Sequence, residues 1–324
     1  MNIKIMQRHW TIALFILLCG IPWFLTDQGY VIRVLTLLLL FAAMAQSWNI
    51  VGGLANQISL GHAAFFGIGA YASTILLIRF GLSPWLGIIA AMALSGITGG
   101  LLSLPTMKLR GHYFALATLA FGEVMRAIAN TWSSMTGGPV GISVPYSPNA
   151  GLAMMQFKST IPYYFLMLGA LTITSYIFWK ISRTRLGYEL RAVKANVESA
   201  EVIGIDTART KIIAAIISAA LMGACGVLYA QFNFFFDPDS AFSLVGISIR
   251  VALICIIGGI GTVFGPLIGA CFLLPLEEIF NALLSGKGAG YSQLAYGIIL
   301  ISIILLEPRG LTAFFQQITQ RMKA

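Results

Sequence analysis

Glu123 and Arg126 stand three residues apart inside an apolar run at 112–131. A carboxylate at membrane depth is costly, and by default it belongs to a pathway, a proton relay or an ion pair. Three residues is close to one helical turn, so the guanidinium can reach the carboxylate along one face. A structural pair is the first reading, and a place on a transport pathway or in proton coupling is the second. Arg250 with Glu277 and Glu278 offers a similar arrangement between two other runs. Asn56, Gln57, Ser59 and His62 bring polar groups together in a segment that is otherwise apolar. No second His or Cys lies at ligand spacing from His62, so it reads as a hydrogen-bonded packing residue and no metal site is expected. Phe65, three residues on, would suit an aliphatic route, although aromatic residues at helical spacing usually serve packing. Neither a Ser/Lys or Ser/His nucleophile pair nor convergent carboxylates occur, which leaves a membrane-embedded enzyme as the weakest reading, with no catalytic residue to name.

The elements that must position these residues follow from composition. Hydrophobic residues make up 58% of the 324, charged residues 10%, and the mean hydropathy is +0.87. A soluble surface needs roughly a quarter of charged residues, so the chain is read as an all-α integral membrane protein forming one domain over 1–324. Spans are expected near 10–26, 31–51, 60–79, 85–104, 112–131, 162–181, 211–231, 244–260, 266–284 and 292–307, about ten in all, some of them broken or re-entrant. The first resembles a signal peptide but lacks a small-residue cleavage site, with Pro22-Trp23 in its place, and is read as an uncleaved anchor. Cys19, Cys225, Cys255 and Cys271 are scattered singly and read as small buried hydrophobes.

Charge gives the orientation. With a cytoplasmic N-terminus, the inner segments hold Lys4, Arg8, Lys108, Arg110, Lys180, Arg183, Arg185, Arg191, Lys194, Arg209, Lys211, Arg309, Arg321 and Lys323, which is 14 of the 20 basic residues. Cytoplasmic loops collect Lys and Arg, so both termini are expected inside. This rule and anionic lipid account for the net charge of +9 without nucleic acid.

Two hydrophobic stretches are interrupted by glycine at comparable positions of the two halves. One runs from Gly52-Gly53 to Asn56-Gln57, and the other carries Gly258, Gly259 and Gly261. Unwound backbone in a membrane must be satisfied by protein or by a wet cavity, so such a pair points to a transport pathway. The alternative is close helix packing through small residues such as Gly67 to Ala70. The loop 182–210 is distinct again, holding nine of the 31 charged residues. Leu190, Val193, Val197 and Ala200 recur there at helical spacing, with Arg191, Lys194, Glu198 and Glu201 on other faces, and Asn196 suits a helix N-cap. Short amphipathic helices carrying two glutamates would meet anionic lipid poorly, so docking to a protein partner is the better reading.

Five segments carry a family resemblance: ISLGHAAFFGIGAY at 58–71, LRGHYFALATLAFGE at 109–123, TGGPVG at 136–141, RLGYELRAVKANVESAEVIGI at 185–205 and GGIGTVFGPLIG at 258–269. In order and spread they resemble the M-type membrane permease subunit of bacterial ABC importers for branched-chain amino acids. Glu198-Ser199-Ala200-Glu201-Val202-Ile203-Gly204 is similar to the E-A-A-x-x-x-G signature that ABC importers present to their ATPases, with Ser199 in place of the central Ala. Asn56 stands where the family usually has Gly.

The resemblance implies an alternating-access importer in the bacterial inner membrane. It implies a second, homologous permease subunit, two cytoplasmic ATPases and a periplasmic substrate-binding protein. Arg191, Lys194, Glu198, Ser199, Ala200 and Gly204 would face the ATPase, while Asn56, Gln57, Ser59, His62, Phe65, Glu123, Gly258, Gly259 and Gly261 would belong to the translocation pathway. No G-x-x-x-x-G-K-S/T phosphate loop occurs in the chain, so ATP is expected only on partner subunits and no cofactor on this one. The alternatives are a urea or short-amide ABC importer and an ion-coupled secondary transporter with Glu123 as carrier. The second gives the loop at 182–210 nothing to do.

Overall fold

The computed structural model describes residues 18–284 apart from 24, 26–27, 107, 110 and 147–150, together with 290, 294, 297–298 and 310–312. The main helices are α1 (Gly29–Ala55), α2 (His62–Phe80), α3 (Pro84–Thr106), α4 (His112–Thr131), α5 (Ile161–Ser182), α6 (Arg185–Ala195), α7 (Val197–Val202), α8 (Thr207–Asn233), α9 (Arg250–Gly258) and α10 (Gly265–Leu284). A short ribbon pairs β1 (Ile142–Ser143) antiparallel with β2 (Phe235–Phe236), which ties the loop after α4 to the end of α8.

Among the described residues, seven stretches are long and apolar enough to cross a membrane: α1, α2, α3, α5, α8, the run Pro238–Gly258, and α10. The expected span at 112–131 is helical as α4 but is not among the seven, since His112, Glu123, Arg126 and Asn130 dilute its apolar character. The expected spans 10–26 and 292–307 lie largely outside the described residues. Lys4, Arg8, Arg110, Lys287, Arg309, Arg321 and Lys323 also lie outside them.

Helix α1 is apolar on every side, and a helix of that kind belongs in the interior. Its apolar window is 83% buried, against 28% for α3 and 22% for α10, so α1 is the axis of the bundle and the other two its rim. It packs on α5, α8, α9 and α10. Helix α8 lies close against α2 and α3, and glycines make the approach possible. A Cβ on Gly69 would collide with the Gly223 backbone, one on Gly226 with Phe66, and one on Gly99 with Ala219. Helix association in lipid rests on such close packing, so the small-residue reading of this region holds.

The glycine interruptions need one correction. Gly52 and Gly53 do not unwind the chain; α1 runs through them to Ala55. They are small because the Trp48 ring lies over Gly52, while Asn49 and the Gly261 amide press on Gly53. The first break is therefore 56–61, and the second is 259–264. Helix α2 is unbroken, and α9 is entered through a π-helical turn, Leu244–Ile249. The cysteines divide: Cys225 and Cys255 are buried, but Cys271 is exposed on the rim helix α10, contrary to the expectation that all four are buried.

Candidate functional site

The first break begins with Asn56 at φ +55° and ψ 31°, the left-handed conformation that closes α1. Asn tolerates this region better than other non-glycine residues, so it can stand where the family usually has Gly. The break is then stitched to three helices. Trp48 Nε1 donates to the Ser59 carbonyl at 2.8 Å, the Leu60 amide donates to Thr118 Oγ1 on α4 at 3.0 Å, and the Ala63 amide donates to Ser248 Oγ at 2.8 Å.

His62 completes the arrangement at the start of α2. Ser218 Oγ on α8 spends its proton on the Ser47 carbonyl at 2.7 Å, so it accepts from His62 Nε2 at 2.9 Å. Nδ1 is then the acceptor for the Ser59 hydroxyl at 3.0 Å. Both ring nitrogens of a neutral imidazole are thereby satisfied, and the ring is 2% exposed. The packing-residue reading of His62 agrees with this geometry. Phe65 sets its ring edge-on to His62, with centroids 5.6 Å apart.

The second break is held by a residue from the other half of the chain. Asn49, fully buried on α1, accepts from the Gly261 amide at 2.8 Å and donates to the Thr262 carbonyl at 2.9 Å. Gly259 and Gly261 adopt φ of +123° and +78°, values that glycine takes without strain. Thr262 Oγ1 donates to the Gly259 carbonyl and accepts from the Gly265 amide, which closes the turn into α10.

The charged loop folds as the two helices α6 and α7. Asn196 caps α7, its side chain accepting from the Ser199 amide at 2.9 Å. Gly204, at φ +86°, makes the left-handed turn that follows, where a side chain would be strained. Glu189 holds Arg185 and accepts from Thr210 at 3.1 Å, while Glu201 accepts from Thr207 at 2.7 Å, so two acids fasten the loop to the start of α8. Arg191 donates to the Ser182 carbonyl at 2.9 Å, and Ala200 is buried. Lys194 Nζ reaches the Gly53 carbonyl on α1 at 2.9 Å, 141 positions away in sequence. Gly53 packs on the Gly261 amide, so the loop, the end of α1 and the second break form one continuous set of contacts.

The Glu123–Arg126 pair forms as its spacing suggests, and further acids join in pairs that spacing does not give. Arg126 binds Glu123 at 2.8 Å and Asp239 at 2.7 Å, and Asn130 donates to the same Asp239 oxygen at 3.2 Å. Arg250 pairs with Glu277 and lies over the Phe41 ring at 4.4 Å, while Tyr30 donates to Glu278 at 2.6 Å.

The residues singled out from sequence do not share one chamber. Ser59, His62 and Phe65 border a cavity of about 20 Å³, room for about one water. Asn56 and Gln57 line a pocket of about 260 Å³ beneath α6 and α7. Glu123 lies on α4, Gly258 is the last helical residue of α9, and Gly259 and Gly261 lie in the second break. Sequence reasoning passed over Asn49, Ser218, Ser248 and Thr118, each a lone polar residue in an apolar run, which was the available signal. It also missed Val202 and Ile203, which stand 87% and 72% exposed beside Gly204 and give the loop an apolar tip.

The sequence matches the family described as "Branched-chain amino acid transport system / permease component" over residues 30–306. It is 28% identical to the high-affinity branched-chain amino acid transport system permease protein LivM of Escherichia coli K12, over 94% of this chain and 75% of that protein. It is 26% identical to the corresponding LivH of Salmonella typhimurium, over 84% of this chain and 90% of that protein. A probable LivH of Methanocaldococcus jannaschii is 29% identical over 76% and 79%. A match that spans both helix breaks, α4 and the charged loop covers all the geometry described above, and the chain belongs to this family of transport permease components.

Proposed function

We propose that this chain is the permease subunit of an ATP-driven importer of branched-chain amino acids and forms half of the translocation pathway. The observation that carries the reading is the continuous contact from the charged loop through Lys194 and Gly53 to Asn49 and the second break. A transporter driven by ion binding has no use for such a lever, whereas one driven by a cytoplasmic ATPase needs it. In this reading α6 and α7 are coupling helices, and Arg191, Glu198, Ser199 and Gly204 face the ATPase with Val202 and Ile203 as apolar anchors. Ala200 packs inward, and Lys194 passes the motion on. ATP is bound and hydrolysed only by the partner ATPases.

The partners are a second permease of the same family, two ATPases and a substrate-binding protein on the opposite side. The chain makes ten spans in the plasma (inner) membrane with both termini cytoplasmic. Helix α4, the fifth of these spans, must keep its polar side away from acyl chains, because Glu123 and Arg126 are each more than a third exposed. We assign its polar stripe to the pathway wall shared with the second permease. Asn56 and Gln57 lie at the pathway's cytoplasmic end. Ser59, His62, Phe65, Gly258, Gly259 and Gly261 form the pivots on which the spans rock.

Uptake of labelled leucine and of labelled urea, in cells with and without this chain, tests the reading. Loss of leucine uptake that follows ATP depletion and survives a proton uncoupler is the expected result. Loss of urea uptake alone would keep the ATP-driven architecture and change the substrate. Uptake that follows the proton gradient with ATP maintained would refute the proposal.

A further inference from the structure

The outward face of α5 changes character as it nears the charged loop. Phe165, Ile173, Tyr176, Lys180 and Arg183, the last of which caps the helix, recur on that face at helical spacing, and all five are exposed. Trp179 stands beside them, its ring stacked on Tyr176 with centroids 5.9 Å apart. The face is thus apolar, then aromatic, then basic, and the passage from Tyr176 to Arg183 covers about 10 Å of helix axis. A span leaving a bilayer meets acyl chains, interface and phosphates in that order.

The two cations are open to a ligand. Among the described residues, the Lys180 side chain makes no hydrogen bond or ion pair. The Arg183 guanidinium lies over the Trp179 ring at 4.4 Å, which occupies its face and leaves the N–H groups of its edge for an acceptor. Glu189, the acid of this corner, is already held by Arg185 and Thr210 and does not neutralise them. Helix α6 turns inward at once, with Gly187 against the Ile181 carbonyl and Ser182, and Lys180 and Arg183 stay exposed.

We infer that this corner binds the headgroup of an anionic phospholipid, its phosphate between the Lys180 ammonium and the edge of the Arg183 guanidinium. The ester region then lies over Trp179 and Tyr176, and the acyl chains run along Ile173 and Phe165. A soluble anion would account for the two cations but not for the aromatic and apolar face that continues from them. The second permease is assigned to α4, which packs on α2, whereas α5 packs on α1 and so presents this face elsewhere.

The test uses the full complex of both permeases and both ATPases in nanodiscs of phosphatidylcholine. A trace lipid carries a photoactivatable diazirine near its phosphate and is either phosphatidylglycerol or phosphatidylcholine. After irradiation, labelled peptides are mapped by mass spectrometry. Two cations at a membrane surface should make labelling of 176–183 about thirtyfold greater with phosphatidylglycerol. Lys180→Gln and Arg183→Gln should each lower that preference about fivefold, and together they should abolish it. Lys158→Gln, the same loss of charge at the other end of α5, should leave it unchanged. All three positions are exposed, so Tm should stay the same in every variant. Equal labelling by the two lipids makes the corner an ordinary interfacial belt and overturns the inference. A preference that persists in the double variant overturns it too. Labelling by neither lipid, while the rest of the complex is labelled, means that protein covers this face and has the same consequence. A preference erased by excess inorganic phosphate at constant ionic strength makes the occupant a soluble anion and overturns the assignment to lipid.

Discussion

Replacing Asn49 by Leu, which is close to it in size, should release the second break from α1 while leaving the rest of the bundle in place. Asn49 is the side-chain link from α1 to that break, through its bonds to the Gly261 amide and the Thr262 carbonyl. Side-chain hydrogen bonds in membrane proteins are worth about 0.6 kcal/mol each on average. The variant also leaves a part-buried amide without its acceptor, at a cost of about 1 kcal/mol at the low end of the usual range. Together these effects come to about 2 kcal/mol, which raises the local opening equilibrium roughly thirtyfold.

Cys255 is placed to report that opening. It is fully buried on α9, and its carbonyl accepts from the Gly259 amide at 3.0 Å, the last bond before the break. In a protein whose other three cysteines are replaced by Ala, maleimide labelling of Cys255 in detergent should run about thirty times faster in Asn49→Leu. A matched protein that keeps only Cys225, buried on α8, separates local from global opening. Its labelling should change little. Equal Cys255 rates with and without Asn49 would refute the claim that this residue holds the break. Equal acceleration at both cysteines would mean that the whole bundle had loosened instead.

Three further outcomes are expected. Lys194→Met should leave the complex assembled and hydrolysing ATP but lower leucine uptake at least tenfold, measured as uptake per ATP hydrolysed, because the link to Gly53 is lost. Gly69→Val should cost more than the ~1–3 kcal/mol of ordinary overpacking, since it pushes on the Gly223 backbone, and should appear as a sharp fall in membrane yield and Tm. Arg126→Gln should shift Tm by no more than about 3 °C, because the pair is partly exposed and worth little to stability. Its uptake should nonetheless fall, as Glu123 and Asp239 are left as neighbouring unneutralised acids.

The sequence made the helices legible because apolar runs and basic loops follow directly from the solvent the chain meets. Asn196 as a cap and Gly204 as a turn were readable for a similar reason: each satisfies a local backbone requirement within a few residues. The breaks were readable only in outline. Gly52 and Gly53 look like helix breakers in one dimension, yet they are helical, and their smallness answers a Trp ring and a distant amide that the sequence cannot place. The bond from Lys194 to Gly53 spans 141 positions, and no periodicity announces it. Residue types showed Glu123 and Arg126 as a pair, but Asp239, which completes the network from beyond α8, could enter only once the helices were packed.

Helix α1 explains why so apolar a chain can hold two stretches of unwound backbone. In lipid such backbone needs partners from within the protein. Trp48 and Asn49 are consecutive, so their side chains leave the helix about 100° apart. One reaches the first break and the other the second, and the carbonyl just before them receives Ser218, which in turn holds His62. A single turn of the most enclosed helix therefore fixes both breaks, and Lys194 grips the same helix one turn further on. Any push on α6 reaches α1 before it reaches the rim helices. Both breaks would then shift together, which is what a single pathway that opens at one end as it closes at the other demands of its pivots.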